Sequence, residues 1–341
     1  MRIGSVLNKL REFHAEELRP WLGARDRKPL VRQLREASRL FWRYRYPPYQ
    51  YFRAGLYLRS APEGIDAYMP PRLIRYLQER LNPAEARRLA KDKQLFRQRM
   101  EDAGLPVVRE VLVLDRGGVI RDAEGAVLTP EAAAALLQDD VFFAKPTDGT
   151  YGRGARVIRP GDDAAGFLAG ARNTIVQPCI RQHPLLARLY PHSVNTVRID
   201  TTRDGDRWVS NAAVLKLGVA GSVVDNGLAG GIVVGIDLES GRLHPVGRQR
   251  MQFGTEIYRH HPDTRIAFDE VVVPHWGLVR ETVARAAEAM LPLQTLGWDV
   301  AITEAGVLLV EANDAWGVNI FQTGWGGLAD TAVGRMALLK R

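Results

Sequence analysis

Helical spacing of apolar residues, bounded by capping residues and prolines, predicts six helices along the chain. They cover residues 3–19, 30–45, 82–104, 129–138, 274–291 and the C-terminal end. The second has apolar positions at Leu30, Leu34, Leu40 and Phe41. Asn82, directly before a proline, is interpreted as the N-terminal cap of the third.

Shorter apolar runs between turn residues predict strands. These runs span residues 107–115, 140–146, 155–160, 173–180, 196–202, 207–218, 298–303 and 306–313, and residues 230–244 predict a further hairpin of their own. Several of them are separated by tight turns and predict antiparallel hairpins, with helices between the pairs. This arrangement indicates an α+β fold rather than a doubly wound parallel sheet.

The last predicted hairpin, "WDVAITEAGVLLVEAN", has polar side chains concentrated at one end. Asp299 lies at the start of its first strand, and Glu311 and Asn313 lie at the end of its second. Hairpin pairing brings these ends together, and residues two apart in a strand point to the same face. Carboxylate and amide oxygens suit Mg²⁺, so we predict a metal site here. A solvated hairpin end is the alternative.

The composition is that of a globular protein, with 46% hydrophobic and 25% charged residues in 341. Cys179 is the only cysteine, which excludes an internal disulfide and fits a reducing compartment. No apolar run is long enough to span a membrane, and the first residues lack a secretory apolar core. We therefore expect a cytoplasmic protein with no nucleic-acid partner.

The positive charge is concentrated at the N-terminus. Residues 1–60 hold 14 Lys and Arg against 5 Asp and Glu, whereas the remainder holds 33 against 34. This basic region could contact an acidic partner or the inner face of a membrane peripherally. A pair of solvated basic helices, or helices buried against the rest of the chain, are the alternatives.

A strand delivers Lys145 into a loop rich in glycine and hydroxyl residues, followed by a second strand. Glycines let backbone N–H groups approach phosphate oxygens, and a lysine at a strand end can neutralise them. The order strand–loop–strand fits neither the dinucleotide fingerprint nor the P-loop. A plain flexible loop is the alternative. The candidate phosphate-binding positions are Thr147, Gly149, Thr150, Gly152 and Gly154.

Two further segments carry candidate ligand-binding groups. The strand exit from Gln177 to Ile180 has backbone groups that could read a purine edge, or it is an ordinary strand exit. Arg198 and Lys216 lie within otherwise apolar strands, where charge is costly without a partner. An anionic ligand over that face, or exposure to solvent, would account for them.

Taken in order from Lys93 to Asn319, these segments resemble the ATP-grasp superfamily of carboxylate–amine ligases. The segments "YPPYQYF", "DKQLF" and "SVNTVRIDT" are similar to its sugar-transfer-associated group. The resemblance implies an α+β fold in which two subdomains with antiparallel sheets grip ATP, preceded by an N-terminal helical region. The expected division is a basic helical region (1–60), an N-terminal and linker part (61–140) and the catalytic core (141–341).

The resemblance also implies roles for individual residues. Lys93 and Lys145 match the two phosphate-binding lysines, the loop from Thr147 to Gly154 matches the phosphate loop, and Gln177 to Ile180 matches the adenine hinge. The catalytic set that it implies is Arg198, which the family aims at the γ-phosphate, with Lys216 and Asn226. Asp299, Glu311 and Asn313 match the Mg²⁺ ligands. Gly297 stands where some ligases have an arginine that acts in the transition state, so that role is expected to depend more on Arg198.

The expected reaction is ATP-dependent formation of an amide from a small-molecule carboxylate and an amine through an acyl phosphate, in polysaccharide, other surface or secondary-metabolite biosynthesis. A kinase of the same fold, or a non-catalytic adaptor that retains it, are the alternatives. The substrates and the oligomeric state stay open.

Overall fold

A computed structural model describes residues 13–147, 154–222 and 230–339 of the chain. Two antiparallel sheets and the helices packed on them make up these residues. A π-helical turn at His14–Leu18 leads into the helices, which are α1 Arg19–Gly23, α2 Leu30–Tyr44, α3 Tyr49–Arg53, α4 Pro71–Leu81, α5 Arg88–Lys91, α6 Lys93–Asp102, α7 Pro130–Ala135, α8 Ala164–Gly170, α9 Pro184–Leu189, α10 Trp276–Ala289, α11 Val318–Gly324 and α12 Ala332–Leu339. Short 3₁₀ turns lie at Ile65–Ala67 and Phe268–Glu270.

The smaller sheet has six strands in the order β3-β2-β1-β6-β4-β5. Its strands are β1 Leu112–Leu114, β2 Ile120–Asp122, β3 Val127–Leu128, β4 Phe142–Pro146, β5 Arg156–Ile158 and β6 Thr174–Pro178. One face packs with α7 and α8 in a core of its own, which includes Leu114, Ala133 and Leu168. The predicted boundary at residue 140 lies within this sheet, because three of its strands precede that residue and three follow it.

The larger sheet has eight strands, in the order β12-β11-β10-β9-β7-β13-β14 with β8 paired to β7. They are β7 Val197–Asp204, β8 Arg207–Val209, β9 Ala213–Leu217, β10 Ile232–Ile236, β11 Leu243–Arg248, β12 Ile257–Tyr258, β13 Thr295–Thr303 and β14 Gly306–Asn313. Alternate residues of its central strands, such as Ile199 and Trp298, pack against α6, α9 and α10 in the main core. The predicted hairpins around residues 205, 239 and 305 are all present.

The N-terminal region packs on the other face of the larger sheet. Leu40 and Tyr44 of α2 share a core with Val214 and Val233 of the sheet. The helices α4, α11 and α12 complete this core. Residues 30–60 are therefore integrated with the rest of the chain rather than forming a separate appendage.

The helix predicted over residues 30–45 is present as α2, but most of the apolar positions that predicted it face outward. Leu40 is fully buried, whereas Leu30, Leu34 and Phe41 are exposed. The buried face instead carries Leu40 and Tyr44 together with the amide of Gln33. The face of α2 that packs on the core is therefore not the face with the most apolar side chains.

The helix predicted from Asn82 to about Gly104 is divided, and Asn82 is not its N-terminal cap. Asn82 follows the end of α4, and the chain turns before the short α5 begins at Arg88. A break at Asp92 separates α5 from α6, and the Asp92 carboxylate accepts hydrogen bonds from the backbone N–H groups of Gln94 and Leu95. Asp92 therefore caps α6, as short acidic side chains commonly do.

In the described parts of the chain, none of the helices combines the length and apolarity needed to cross a bilayer.

Candidate active site

Four charged residues form a row across four strands of the larger sheet. Asp299 of β13 is directly opposite Glu311 of β14 on one side and Arg198 of β7 on the other. Opposed residues in an antiparallel pair point to the same face. Val214 of β9 pairs with Arg198, and Lys216, two residues further on, shares its face. The row therefore lies opposite the main core.

A bulge in the hairpin sets this alignment. Asp299 pairs with Glu311, but the next residue of β13, Val300, pairs with Leu309, so Val310 is the extra residue. Val300 and Leu309 both belong to the main core. Without the extra residue, the one-residue shift would turn Glu311 toward that core. The predicted pairing of the acidic hairpin ends is present, and the bulge makes it possible.

Asp299 is the centre of the ion pairs in the row. The Arg198 guanidinium donates two hydrogen bonds to its carboxylate, and Lys216 Nζ lies 3.3 Å from Oδ1. Arg198 Nη2 is also 3.6 Å from Glu311 Oε1. Although burial opposes ionisation, the charges of Arg198 and Lys216 hold the pKa of Asp299 far below its ordinary value. Asp299 is thus held as a carboxylate.

The pKa of Glu311 is shifted in the opposite direction. Desolvation and the negative charge of Asp299 raise the pKa of Glu311 above its ordinary value. Its side chain is 44% exposed and lies within electrostatic range of Lys145 on the smaller sheet, and we call the space between the two sheets here the cleft. Asn313 Nδ2 donates to Glu311 Oε1 at 3.3 Å. An added cation would relieve the repulsion between the two carboxylates.

These side chains fit a divalent cation that prefers oxygen. Among the described residues, no group of three or more His, Cys, Asp and Glu side chains could hold a metal. The candidate set therefore depends on two carboxylates and the amide oxygen of Asn313, a combination that suits Mg²⁺. Glu311 and Asn313 face the cleft, whereas Asp299 would share its oxygens with Arg198 and Lys216.

Two lysines lie on the opposite wall of the cleft, Lys145 on the smaller sheet and Lys93 at the start of α6. Lys145 of β4 points away from the core of its own sheet, and Lys93 Nζ reaches the carbonyl oxygen of Pro146 at 3.4 Å. Burial lowers the pKa of Lys145, and so does the nearby charge of Lys93. Asp299 and Glu311 of the larger sheet oppose that shift, so the lysine and the two acids lie within electrostatic range.

Glu110 is a member of this wall that the sequence did not predict. Its carboxylate is buried and pairs with Arg97 Nε at 3.0 Å. It also accepts a hydrogen bond from Gln177 Nε2 at 3.3 Å, and its charge acts on Lys145. Its sequence signal was weak, since it is a single acid within the apolar run 107–115 and nothing in that run indicates its partners.

The candidate nucleotide-binding positions lie in two segments, the strand exit at Gln177 and the loop that follows Lys145. The side chain of Gln177 is engaged with Glu110. Residue 178 is a proline without an N–H, and the Cys179 N–H donates to the carbonyl oxygen of Val141 at 2.8 Å. Within this segment, the backbone of Ile180 is therefore the better candidate to donate to a purine edge. The Thr147 hydroxyl donates to the carbonyl oxygen of Asn173 at 3.2 Å. Gly154 has a φ of +75°, a conformation that favours glycine. Gly149, Thr150, Gly152 and Asn226 lie outside the described residues.

Trp316 explains why position 297 has no arginine. A Cβ atom added to Gly297 would lie 2.5 Å from Trp316 Cβ. The indole is fixed by its hydrogen bond to the Thr295 hydroxyl at 3.0 Å. A larger residue at 297 would displace Trp316. Arg198 is therefore the arginine that this site has in place of one at position 297.

Several solved structures are similar to this chain. The ATP-grasp ligase PsnB, complexed with minimal precursor, Mg and ADP, is 16% identical with a TM-score of 0.43, covering 76% of this chain and 60% of that chain. An ADP complex of PurK, N5-carboxyaminoimidazole ribonucleotide synthetase, is 14% identical with a TM-score of 0.43, covering 74% of this chain and 53% of that chain. Carboxyaminoimidazole ribonucleotide synthase from Aspergillus clavatus, complexed with ATP, is 14% identical with a TM-score of 0.41, covering 70% of this chain and 50% of that chain. This chain thus spans 60% or less of the length of these three.

No curated protein matches the chain. The family model described as sugar-transfer associated ATP-grasp matches residues 72–332, which is most of the sequence. This match, together with the two antiparallel sheets and the preceding helices, confirms the predicted α+β ATP-grasp fold. The chain belongs to the sugar-transfer associated ATP-grasp family.

Proposed function

We propose that this protein is an ATP-dependent ligase that joins a small-molecule carboxylate to an amine through an acyl phosphate. The observation that carries the proposal is the opposition of charges across the cleft. Lys145 of the smaller sheet lies within electrostatic range of Asp299 and Glu311 of the larger one. A triphosphate between the sheets would meet lysines on one side and a carboxylate-bound cation on the other.

The smaller sheet and the start of α6 would hold the nucleotide. Lys93 and Lys145 would neutralise phosphate oxygens, and burial of Lys145 strengthens its attraction for an anion because there is less water to screen it. Glu110 would keep this lysine in place through its charge and its links to Arg97 and Gln177. The loop between β4 and β5, most of it outside the described residues, would supply further donors.

The larger sheet would hold the reacting groups. Mg²⁺, when bound by Glu311, Asn313 and Asp299, would supply positive charge between the phosphates. Arg198 and Lys216 are oriented by Asp299 and would balance charge on the transferred phosphoryl group. Holding these groups in a fixed arrangement contributes to catalysis through positioning and preorganised electrostatics.

The proposed reaction has two steps. A carboxylate oxygen attacks the γ-phosphorus and ADP leaves, which forms the acyl phosphate. The amine then attacks the acyl carbon, phosphate leaves, and the amine loses a proton. No side-chain nucleophile is needed, which agrees with the half-buried Cys179, whose thiol pKa is raised by burial.

The deciding experiment is ADP release measured over a matrix of carboxylates and amines with Mg·ATP. A ligase requires both partners, a kinase releases ADP with a single phosphorylated product, and an adaptor releases none. The last two outcomes would each contradict the proposal.

A pair of variants on one hairpin then tests the site. Glu311→Gln removes one carboxylate charge from the row and should abolish turnover while leaving the melting temperature within about 2 °C, because the side chain is partly exposed. Glu304→Gln makes the same change at the exposed turn of that hairpin and should have no effect. Wild-type activity in Glu311→Gln would exclude the assigned role.

A further inference from the structure

The outer face of α2 is apolar and exposed over the length of the helix. Val31 is 80% exposed, Leu34 69% and Trp42 63%. Leu30 and Phe41 are exposed beside them. Large apolar side chains exposed singly are ordinary, but five on one helix of 15 residues form a continuous surface. We call these five residues the α2 outer face.

Helical geometry places the five on one side. At 100° per residue, positions 30, 31, 34, 41 and 42 fall within about 120° of arc. Leu40 and Tyr44, which are fully buried against the core, lie about 40–80° beyond Leu30 on the side away from Trp42. Because that buried side is anchored to the larger sheet, the outer face is held outward and the helix axis lies along the surface.

Arginines border the outer face. Arg35, Arg39 and Arg43 follow its edge beyond Trp42, although Arg39 pairs with Asp66. The guanidinium of Arg45 lies 4.8 Å from the centre of the Trp42 ring. Glu36 is the only acidic residue of α2, and Lys28 and Arg32 both pair with it at 2.9 Å. The helix therefore presents a net positive border beside an apolar stripe.

We propose that the α2 outer face docks the protein on an anionic membrane surface. A helix with an apolar face and a basic border binds such a surface by shallow insertion plus attraction to anionic headgroups. Tryptophan and arginine are well suited to that boundary, since each has an apolar body and a polar end. A second copy of this chain fits less well, because pairing two such helices would bring their arginine borders together.

The apolar contribution is tested with the full chain and vesicles that contain phosphatidylglycerol and phosphatidylcholine. Leu34→Ser combined with Trp42→Ser should lower partitioning to these vesicles by about a hundredfold, at about tenfold for each exposed apolar side chain. Val127→Ser combined with Leu136→Ser, also exposed but on the smaller subdomain, should leave partitioning unchanged. All four positions are exposed, so the melting temperatures should stay close to that of the wild type.

The charge contribution is tested in the same assay. Arg35→Gln combined with Arg43→Gln should lower partitioning by about 25-fold at low salt, at about fivefold for each arginine near an anionic surface. Arg280→Gln combined with Arg285→Gln removes the same charge from the exposed side of α10 and should have little effect. High salt and pure phosphatidylcholine should both weaken binding by the wild type.

Loss of binding in both α2 pairs, with binding retained in both control pairs, supports the proposal. Absence of vesicle binding by the wild type at low salt would overturn it, and so would unchanged binding after the Leu34 and Trp42 substitutions. Sedimentation velocity addresses the competing occupant. A concentration-dependent dimer that the Leu34 and Trp42 substitutions abolish would identify a second copy of the chain and contradict the membrane assignment.

Discussion

Replacing Asn82 should destabilise the whole protein, because its side chain satisfies four backbone groups at once. Asn82 Oδ1 accepts hydrogen bonds from the N–H groups of Gln294 at 2.9 Å and Thr295 at 3.1 Å. Its Nδ2 donates to the carbonyl oxygens of Thr295 and Asp314, both at 2.7 Å. The residue is fully buried, so no water is expected to replace these bonds. It ties the start of β13 to the segment that follows β14.

The magnitude follows from the number of groups left without partners. Each buried donor or acceptor that loses its bond costs about 1 kcal/mol or more, so Asn82→Ala should lose about 4 kcal/mol of unfolding free energy. Asn82→Asp keeps the two acceptor bonds but turns a carboxylate oxygen toward two carbonyl oxygens. It should therefore be no more stable than Asn82→Ala at neutral pH.

Urea denaturation followed by circular dichroism measures this loss. Gln98→Ala is the matched control, because its amide makes a single exposed hydrogen bond to Asp102, at 2.8 Å. The control should change stability by no more than about 0.5 kcal/mol. A loss below about 1 kcal/mol in Asn82→Ala would refute the reasoning, since the four bonds would then contribute little.

Three further outcomes are expected. Lys145→Met should raise the Kd for ATP at least about tenfold in a calorimetric titration and leave the nucleotide-free melting temperature nearly unchanged; an equal Kd would remove Lys145 from the site. Burial raises the pKa of Asp200 to about 7. Between about pH 4 and 7 the folded state keeps a proton that the unfolded state releases, so the unfolding free energy of the wild type should fall as the pH rises through this range. Asp200→Asn cannot ionise, so its unfolding free energy relative to the wild type should increase by about 4 kcal/mol between pH 4 and 8; a constant difference would contradict this. Gly297→Ala should cost about 1–3 kcal/mol in urea denaturation, because its Cβ would press on Trp316; full stability would show that the indole can move freely.

The acidic hairpin was predictable because its signals are local. A tight turn fixes the register of two short strands, and the register brings Asp299 beside Glu311. The bulge at Val310 was not predictable, since it depends on which residues fit the main core. Long-range pairing between β7 and β13, which places Arg198 beside Asp299, likewise depends on the sheet order and not on any short motif.

The residues that sequence reasoning missed act through distant partners. Asn82 has the neighbours of a helix cap, but its partners lie more than 200 residues away. Glu110 acquires its role only when β6 brings Gln177 beside it. The orientation of α2 shows the same limit, because burial of Tyr44 and Gln33 against the core decides which apolar residues face outward. Local sequence patterns indicate where helices and strands form, whereas tertiary contacts determine which of their faces is buried.

The core shared by α2, α11 and α12 has a consequence for synthesis of the chain. Leu40 and Tyr44 are made early, but their partners Phe321 and Val333 are made nearly 300 residues later. At about 5–20 residues per second, the early segment waits roughly 15–60 s for the last part of its core. During that interval the side of α2 that carries Leu40 and Tyr44 has no core to pack on, so the nascent helix exposes apolar surface on both sides until the C-terminal helices are made.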